Sequence, residues 1–268
     1  MGPYSFFART VQACVLRVLM DSIKDLLVDT TLMFTKDGVK LVALDNTHVV
    51  MIHLKLDAKR FEEFYCDTPT SIGINLANFQ KLLKTVNTSD TLTLFLEHSD
   101  RNRLGIRVEN EEKHTRTEFK LNLLDLDSHN FDIPPLSFNN CIMLPSAYFQ
   151  KIIRDMASIS EKVELKNVGK QFSLTCSGDF CSQETVLRDA DQGEGIGDAA
   201  MDADGGAEED SVITQGLFSL RYLVLFTKCS TLCQTVELFL KSDFPLIVQY
   251  KLALGSLRLC LSPLCEDL

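Results

Sequence analysis

The stretch L-A-N-F-Q-K-L-L-K-T-V at residues 76–86 decides the fold class, because its apolar side chains recur at helical spacing in a chain rich in strand-like segments. Three further segments share this periodicity, at residues 12–27, 146–159 and 218–229. Ser146 follows a proline, and we expect it to cap the third helix. The sequence therefore predicts four amphipathic helices.

Most of the remaining chain consists of short segments rich in β-branched and apolar residues, which are typical of strands. The turn at residues 36–38 separates two of them, at 30–34 and 39–44, and predicts a hairpin in which Gly38 takes a positive φ. The other predicted strands lie at 49–56, 91–96, 104–108, 116–123, 142–144, 172–176, 185–187, 236–240, 246–250 and 257–261. So many short strands exclude an all-helical or a βαβ architecture.

The order of these elements repeats along the chain. The first two helices begin near residues 12 and 76, and the last two begin near 146 and 218, where an acidic segment lengthens the interval. Such a period indicates an internal duplication. We therefore predict an α+β fold of two topologically similar β-rich domains with two helices each, at residues 1–121 and 141–268. Residues 122–140 contain two adjacent prolines and are predicted to form an extended loop that connects the domains.

The net charge of −10 argues at first against a nucleic-acid partner. Residues 189–210, however, hold nine acids and no lysine or arginine, so the rest of the chain carries only −1. Five glycines are interleaved with these acids, and we expect the segment to be a solvated loop or a disordered excursion from the second domain. Its location removes the objection to a nucleic-acid partner.

Cysteine usage and the hydropathy pattern indicate an intracellular protein. No apolar run of about 18 residues predicts a membrane span, and the start of the chain lacks the pattern of a secretory signal. The nine cysteines form no C-x-x-C pair, so we expect reduced thiols that behave as small buried hydrophobes. Neither they nor the five histidines have the spacing of a metal site, and no cofactor is predicted.

Each predicted helix carries two basic residues, three or seven positions apart, which places each pair on one helical face away from the apolar stripe. The helices hold three acids, Asp21, Asp25 and Asp155, so they carry +5 while the other residues carry −15. We predict a common cationic surface that contacts the phosphates of duplex DNA without reading its base sequence. The predicted DNA-facing residues are Arg17, Lys24, Lys81, Lys84, Lys151, Arg154, Arg221 and Lys228.

Motifs of catalysis are missing from the sequence, which contains no Walker A, G-x-S-x-G or H-E-x-x-H pattern. Asp125 and Asp127 form a pair of carboxylates at the start of the connecting loop, but no basic or metal-binding residue accompanies them. We expect a structural role for this pair. The sequence predicts no enzyme activity and no catalytic or metal-binding residues.

Over essentially its whole length the chain resembles the proliferating cell nuclear antigen (PCNA) family, the eukaryotic-type DNA sliding clamps. The motifs that carry this resemblance are colinear across both predicted domains. They are F-F-A-R-T-V-Q at 6–12, L-D-N-T-H-V at 44–49, N-L-A-N-F-Q-K-L-L-K at 75–84, L-D-L-D at 124–127, I-P at 133–134, I-R-D-M at 153–156, L-R-Y-L at 220–223, F-T-K at 226–228 and P-L-I-V-Q-Y at 245–250.

The resemblance implies a processivity factor without catalysis of its own. Such a clamp is a homotrimeric ring that encircles double-stranded DNA, with helices lining the hole and sheets outside. It tethers DNA polymerase and other replication or repair enzymes, and a clamp loader opens it. The eight basic residues match hole-lining positions of the family. The implied localisation is nuclear, or a viral replication site if a virus encodes the chain.

The resemblance also implies how the ring closes. The strands at 116–123 and 182–188 have no obvious partner within their own domains, and in the family such strands pair between subunits. We expect Phe119, Thr185 and Leu187 to lie at this trimer interface.

Partner proteins of the family carry a clamp-interacting peptide, with a glutamine, two residues, an aliphatic residue, two residues and two aromatics. The resemblance implies that this peptide docks in an apolar groove between the connecting loop and the second domain. The predicted groove residues are Leu44, His48, Val49, Phe131, Ile133, Pro134, Pro245 and Pro263.

Several positions depart from the family pattern. Val18 replaces a usual lysine, Cys260 replaces a usual aromatic residue, and residues 166–170 are shortened where the family carries a modified lysine. The chain therefore resembles a diverged or virus-encoded copy. Two alternatives stay open at this point: a subunit of a checkpoint-type heterotrimeric clamp, and a monomeric DNA-binding accessory factor or nuclease.

Overall fold

A computed structural model describes residues 3–126, 138–169, 171–188, 191–196 and 213–264 of the protein. The chain divides into two compact units. Unit 1 comprises Met1–Phe131 with Lys251–Leu257, and unit 2 comprises Asp132–Tyr250 with Arg258–Leu268. The finer boundaries drawn from the sequence, at residues 121 and 140, stay a prediction. No helix within the described ranges has the length and apolarity needed to cross a membrane.

Unit 1 combines antiparallel strands with two helices. Its elements are β1 (Tyr4–Thr10), α1 (Ala13–Ile23), β2 (Asp29–Thr35), β3 (Gly38–Leu44), β4 (Val50–Asp57), β5 (Glu63–Cys66), β6 (Thr70–Asn75), α2 (Leu76–Leu83), β7 (Thr91–Glu97), β8 (Asp100–Asn110) and β9 (Thr115–Asn122). One sheet has the order β5-β1-β7-β8-β9, and β4, β3, β2 and β6 are neighbours in that order in another. Burial alternates along β2 and most of β4, as expected for strands with one face in the core.

The predicted hairpin at residues 36–38 is confirmed. Thr35 pairs with Gly38 where β2 turns into β3, and Gly38 has a φ of 139°. A side chain there would also meet the backbone, since a Cβ would lie 1.9 Å from the Leu56 carbonyl oxygen. Both the positive φ and the close approach therefore require glycine at this turn.

Unit 2 repeats this plan with its own strands and helices. Its elements are β10 (Phe138–Pro145), α3 (Ser146–Ala157), β11 (Lys162–Val168), β12 (Gln171–Ser177), β13 (Ser182–Leu187), β14 (Asp191–Ile196), β15 (Ile213–Ser219), α4 (Leu220–Phe226), β16 (Thr235–Phe239), β17 (Leu246–Leu252) and β18 (Gly255–Leu261). One sheet has the order β13-β12-β11-β15, and β14, β10, β16, β17 and β18 are neighbours in another. The tip of the β17–β18 hairpin belongs to unit 1.

The two units share one order of elements across the described residues: a strand, a helix, five strands, a helix and three strands. The predicted duplication and the α+β class with two helices per domain are therefore confirmed. In α1 the residues Leu16, Leu19 and Ile23 are buried, and in α3 the buried set includes Phe149 and Ile153. The apolar stripes that predicted the helices are the faces that the core covers.

The helices are shorter than their periodicity predicted. The predicted segments 12–27 and 76–86 extend beyond the ends of α1 and α2, because Leu26, Leu27 and Val86 are buried in the turns that follow these helices. The predicted segment 218–229 contains only α4, which is followed by a 3-10 helix at Thr227–Thr231. Apolar periodicity continues past a helix end whenever the next turn also packs on the core, so it overestimates helix length.

The predicted cap at Ser146 is wrong. Pro145 occupies the N-cap position of α3, and Ser146 is the first helical residue, with its side chain buried. Asn75, in contrast, caps α2 by accepting a hydrogen bond from the Asn78 amide at 2.9 Å.

Part of the acidic segment was also wrongly predicted. Residues 191–196 form the strand β14, which pairs with β10 in antiparallel register, for example Cys141 with Gly193. The pairing uses backbone groups, so the acidic, glycine-rich composition that argued for a loop does not prevent it. The rest of the segment, residues 189–190 and 197–210, lies outside the described residues.

The cysteines only partly match the prediction of buried small hydrophobes. The eight described cysteines are free thiols, of which Cys66, Cys141, Cys176 and Cys229 are buried. Cys181 is exposed, because it lies in the turn that precedes β13 rather than in a strand. The remaining three, Cys14, Cys233 and Cys260, are half-buried. Burial raises the pKa of Cys260 to about 11, so this thiol is neutral at physiological pH.

Candidate functional site

The helix pair of unit 1 is joined by a carboxylate on its polar side. Asp21 of α1 accepts a hydrogen bond from the buried Gln80 amide of α2 at 2.7 Å. The same carboxylate forms an ion pair with Lys24 at 2.6 Å, and this hydrogen bond raises the pKa of Lys24. Asp21 therefore serves the packing of the two helices as well as lowering the net charge of their surface.

The four predicted DNA-facing residues of unit 1 differ in availability. Arg17 is half-buried and its guanidinium donates to the Val86 carbonyl, so part of its hydrogen-bonding capacity is used inside the unit. Lys24 is half-buried as well, and it stands immediately after α1. Lys81 and Lys84 are exposed and form no ion pair with any residue that the structure describes. These two lysines are the freest charges of this helix pair.

The helix pair of unit 2 carries the other four bases. Lys151 and Arg154 are exposed on α3, and neither has an ion pair within the described part of the chain. Arg221 is exposed at the start of α4, where its guanidinium lies 5.8 Å from the centre of the Tyr222 ring. Lys228 is exposed and lies in the 3-10 helix rather than in α4.

Packing within unit 2 fixes the position of this basic surface. The Gln150 amide of α3 donates to the Thr227 carbonyl at 2.8 Å and so ties α3 to the end of α4. The Tyr250 hydroxyl, from β17, donates to the Phe226 carbonyl at 3.1 Å. Each unit thus presents a pair of helices whose polar side carries exposed, positively charged groups of the kind that contact phosphates without base readout.

Tyr148 also belongs to this surface, and sequence reasoning missed it. It is 42% exposed and lies one turn before Lys151 on the same helix. The signal was present, because a large aromatic residue stood outside the apolar stripe of the predicted helix.

Two strands end their sheets with one edge open. Among the strands that the structure describes, β9 pairs with β8 alone and β13 with β12 alone, so each has a partner within its own unit. The sequence-based statement that neither strand has such a partner is therefore wrong, since each is paired along one side. What remains is an outer edge on each strand that has no strand partner among the described residues, so its backbone groups can pair with another chain. The strands β5 and β15 end the same two sheets at the opposite side, so the choice of β9 and β13 rests on the resemblance to the family.

The side chains at these edges suit an interface. Phe119 on β9 is half-buried and lines a cavity of about 230 Å³ together with Val108 and Asn110. Thr185 and Leu187 on β13 are half-buried, and the preceding turn holds Phe180, which is 76% exposed. All three predicted interface residues thus lie on free edges, although their role stays a prediction.

A second cavity, of about 670 Å³, lies in unit 1 beside the end of β3. Leu44 and His48, two of the predicted groove residues, line it together with Val42, Ala43 and Leu126. The rest of the lining is polar, so the cavity offers apolar contacts for an aliphatic or aromatic group beside polar groups that can orient it. These polar residues are Asp29, Thr30, Thr31, Asp45 and Asn46.

The loop that carries His48 is held by one buried carboxylate. Asp45 accepts hydrogen bonds from the amides of Val49 at 2.9 Å and Val50 at 2.7 Å, and from the amide and hydroxyl of Thr47. Burial alone would raise the pKa of Asp45, but these hydrogen bonds outweigh it and lower the pKa below its ordinary value. His48 has a φ of 59°, so the loop makes a tight turn at this residue.

The other predicted groove residues are only partly described. Val49 is half-buried in unit 1, and Pro245 and Pro263 are half-buried in unit 2. Phe131, Ile133 and Pro134 lie outside the described residues, as does Asp127 of the carboxylate pair. The assembly of these residues into one groove therefore stays a prediction.

Comparison with known proteins decides the family. Residues 5–130 match the family described as Proliferating cell nuclear antigen, N-terminal domain, and residues 132–264 match the family described as Proliferating cell nuclear antigen, C-terminal domain. The chain belongs to the PCNA family. The resemblance inferred from the motifs and the predicted two-domain fold are thus confirmed.

Two relatives of known name support this placement in the PCNA family. The chain is 32% identical over 264 residues to the "Probable DNA polymerase sliding clamp 1" of Paramecium bursaria Chlorella virus 1, with 97% of each chain covered. It is 32% identical over 261 residues to the "Proliferating cell nuclear antigen" of Chaetomium thermophilum (strain DSM 1495 / CBS 144.50 / IMI 039719), with 97% of this chain and 98% of the relative covered. These findings give no support to the checkpoint-type alternative.

The structure adds two residues, Leu126 and Asp45, that the sequence reasoning did not assign to the site. Leu126 lies in the L-D-L-D motif yet was not assigned to the groove, although it lines the cavity with Leu44 and His48. Asp45 lies in the L-D-N-T-H-V motif, and its spacing to Thr47 is that of a local turn in which a carboxylate accepts the following amides. The latter signal was available from the sequence alone.

Proposed function

We propose that the protein is a subunit of a ring-shaped DNA sliding clamp, a processivity factor that tethers DNA polymerase and other replication or repair enzymes to duplex DNA. Membership of the PCNA family supports this role. The single observation that carries the proposal is that, in an acidic chain, the paired helices of both units expose basic residues without an ion pair among the described residues, namely Lys81, Lys84, Lys151 and Arg154. The clamp acts by binding alone, without catalysis.

Contact with DNA is weak and is maintained by encirclement. Lys81, Lys84, Lys151 and Arg154 are long, exposed side chains that reach phosphates without fixed partners. Each neutralised phosphate adds affinity through counterion release, and this gain decreases as salt rises. Few such contacts at a time allow the ring to slide, while the closed ring prevents dissociation. A monomeric factor that holds linear DNA without encircling it would require a surface with a higher intrinsic affinity for DNA.

The ring closes by pairing the free edge of β9 in one subunit with the free edge of β13 in the next. The two edges belong to different units of the chain, so the contact is head to tail. In this proposal the rotation between subunits closes the contact into a ring of three. Phe119, Thr185 and Leu187 pack at this interface. A clamp loader opens the ring, and the protein acts in the nucleus, or at a viral replication site if a virus encodes it.

Clients dock through a peptide whose aliphatic and aromatic side chains enter the cavity beside Leu44, His48 and Leu126. This cavity of about 670 Å³ has room for several side chains. Each buried side chain contributes about 1.5–3 kcal/mol, and ordering the peptide offsets much of that gain. Micromolar affinity, near −8 kcal/mol, is the expected scale. The proposed groove extends to Val49, Phe131, Ile133, Pro134, Pro245 and Pro263.

The proposal is tested by polymerase extension on a primed circular template in the presence of a clamp loader and ATP. A double charge reversal, Lys84→Glu with Arg154→Glu, changes one exposed base in each unit and is expected to shorten the products while trimers persist. The matched control reverses Lys36 and Lys59, which are also exposed but lie outside the helices α1 to α4, in the β2–β3 turn and in the 3-10 helix at Ala58–Arg60. Products as long as those of the unaltered protein, or equal losses in both double variants, would refute the role of the helix surface.

A further inference from the structure

The start of the connecting segment lies along an edge strand of unit 1. We call the place where Leu124 and Leu126 contact Gly73 the seat. Among the described strands β6 pairs with β2 alone, so its other edge is open to the chain that follows β9. Leu124 occupies that edge through an isolated antiparallel bridge to Gly73, and its amide donates to the Gly73 carbonyl at 2.8 Å. One residue earlier, the Leu123 amide donates to the Asn102 carbonyl at 2.9 Å. The chain is thus fixed by two backbone hydrogen bonds before it reaches Leu126.

Gly73 leaves no room for a side chain at this seat. A Cβ at position 73 would lie 2.4 Å from the Leu124 carbonyl oxygen, 2.8 Å from Leu126 Cγ and 3.0 Å from Leu126 Cδ1. Gly73 has no positive φ, so its backbone conformation does not require glycine. Its role is close approach, which is the other reason for glycine within a strand. The side chain of Leu126 lies directly against the bare backbone of β6.

The seat at Gly73 determines one wall of the candidate client cavity. Leu126 lines that cavity with Leu44 and His48. Any atom added at position 73 must displace Leu126, the Leu124 carbonyl or both, because the nearest contacts would be shorter than real Cβ contacts. A displaced Leu126 changes the shape of the cavity, whereas the basic helices and the strand edges β9 and β13 keep their own contacts.

We propose that Gly73 is a positioning residue for client binding: its missing side chain seats the chain at Leu124 and holds Leu126 as a wall of the peptide cavity. This inference rests on the proposed function, since it assigns Gly73 to the client site of the clamp. Gly73 itself does not touch the peptide. It acts through Leu126.

The test is isothermal titration calorimetry of the full-length protein with a synthetic peptide of the clamp-interacting pattern. Gly73→Ala is expected to raise the peptide Kd roughly tenfold or more, the equivalent of about 1.4 kcal/mol. Gly255→Ala is the matched control, because a Cβ there would also meet a backbone oxygen of unit 1, that of Lys55 at 2.0 Å, but does not approach Leu126. The control is expected to lower thermal stability without a comparable loss of peptide affinity.

A second measurement detects the contact between Leu124 and Gly73 in the absence of the peptide. Hydrogen exchange of the Leu124 amide should be slow in the unaltered protein and in Gly255→Ala, and faster in Gly73→Ala. If Gly73→Ala does not fold, Leu126→Ala replaces it, because this change removes the positioned side chain without adding an atom at the seat. Leu126→Ala is expected to weaken peptide binding while the Leu124 amide stays protected from hydrogen exchange.

The outcomes separate this inference from the proposed function. Peptide binding by the unaltered protein with the same Kd in Gly73→Ala, or in Leu126→Ala, would overturn the inference and leave the client cavity in place. No binding by the unaltered protein would overturn the client cavity and, with it, the role of Gly73. Equal affinity losses in Gly73→Ala and Gly255→Ala would also overturn the inference, because a general loss of stability would then explain both.

Discussion

Replacing Asp45 by alanine should unfold the loop that borders the client cavity. Asp45 is only 6% exposed. Its carboxylate accepts hydrogen bonds from the amides of Thr47, Val49 and Val50 and from the Thr47 hydroxyl. Alanine removes the carboxylate that accepts all four hydrogen bonds. Thr47 is an exposed residue that water can reach, but the amide of Val50, a fully buried residue, would be left without its partner.

The size of the effect follows from these hydrogen bonds. A hydrogen bond to a charged group contributes about 1.5–3 kcal/mol, and a buried donor left unsatisfied costs about 1–3 kcal/mol. Because several of the donors can rehydrate, we expect the free energy of unfolding to fall by roughly 2–4 kcal/mol rather than by the full sum. Asn46→Ala, at the exposed neighbouring residue, should change it by less than about 0.5 kcal/mol.

Urea unfolding at a fixed protein concentration measures this difference, because assembly makes the apparent stability depend on concentration. The hydrogen bonds lower the folded-state pKa of Asp45 below its ordinary value of 3.8. The stabilisation is therefore fully present above pH 3.8 and is lost as the pH falls through the lower folded-state pKa. An Asp45→Ala protein as stable as its parent, or a difference that disappears already between pH 7 and pH 5, would refute this reasoning.

Three further changes test other parts of the molecule. Phe119→Ala should shift the trimer towards monomers, since each interface loses about 1.5–3 kcal/mol of aromatic burial; light scattering after size-exclusion chromatography at nanomolar concentration measures this, and a persistent trimer would move the interface elsewhere. Ile133→Asp should abolish the heat of binding of the clamp-interacting peptide, because a charge cannot be buried under an apolar plug; an unchanged titration would place the client site elsewhere. Asp21→Ala should lower the free energy of unfolding by about 1–3 kcal/mol, because the buried Gln80 amide loses its acceptor, and an unchanged urea midpoint would contradict this.

Features encoded by local chemistry were predictable from the sequence. The Gly38 hairpin follows from turn chemistry at three adjacent residues, and the four helices follow from the spacing of apolar side chains. The duplication followed from element order, which survives where sequence similarity between the two halves is low. These signals depend on neighbours in the chain, so a single sequence contains them.

Features that depend on contacts between distant residues were not predictable. The strand β14 forms because an edge of β10 accepts it, although its acidic, glycine-rich composition is not typical of a strand. Arg17 and Lys24 were assigned to a DNA-facing surface from their spacing, yet Val86 and Asp21 take part of their hydrogen-bonding capacity. The contact of Leu126 with Gly73 joins residues from two different segments, and no pattern in either segment predicts it.

The most direct test of the sliding-clamp account is retention on circular against linear DNA. Labelled protein is loaded onto nicked circular DNA with a clamp loader and ATP, separated from free protein, and half of the sample is cut once with a restriction enzyme. Encirclement predicts that the protein stays on the circles and runs off the free ends of the cut molecules. Equal retention on circular and linear DNA would contradict sliding and would indicate a protein that grips duplex DNA directly.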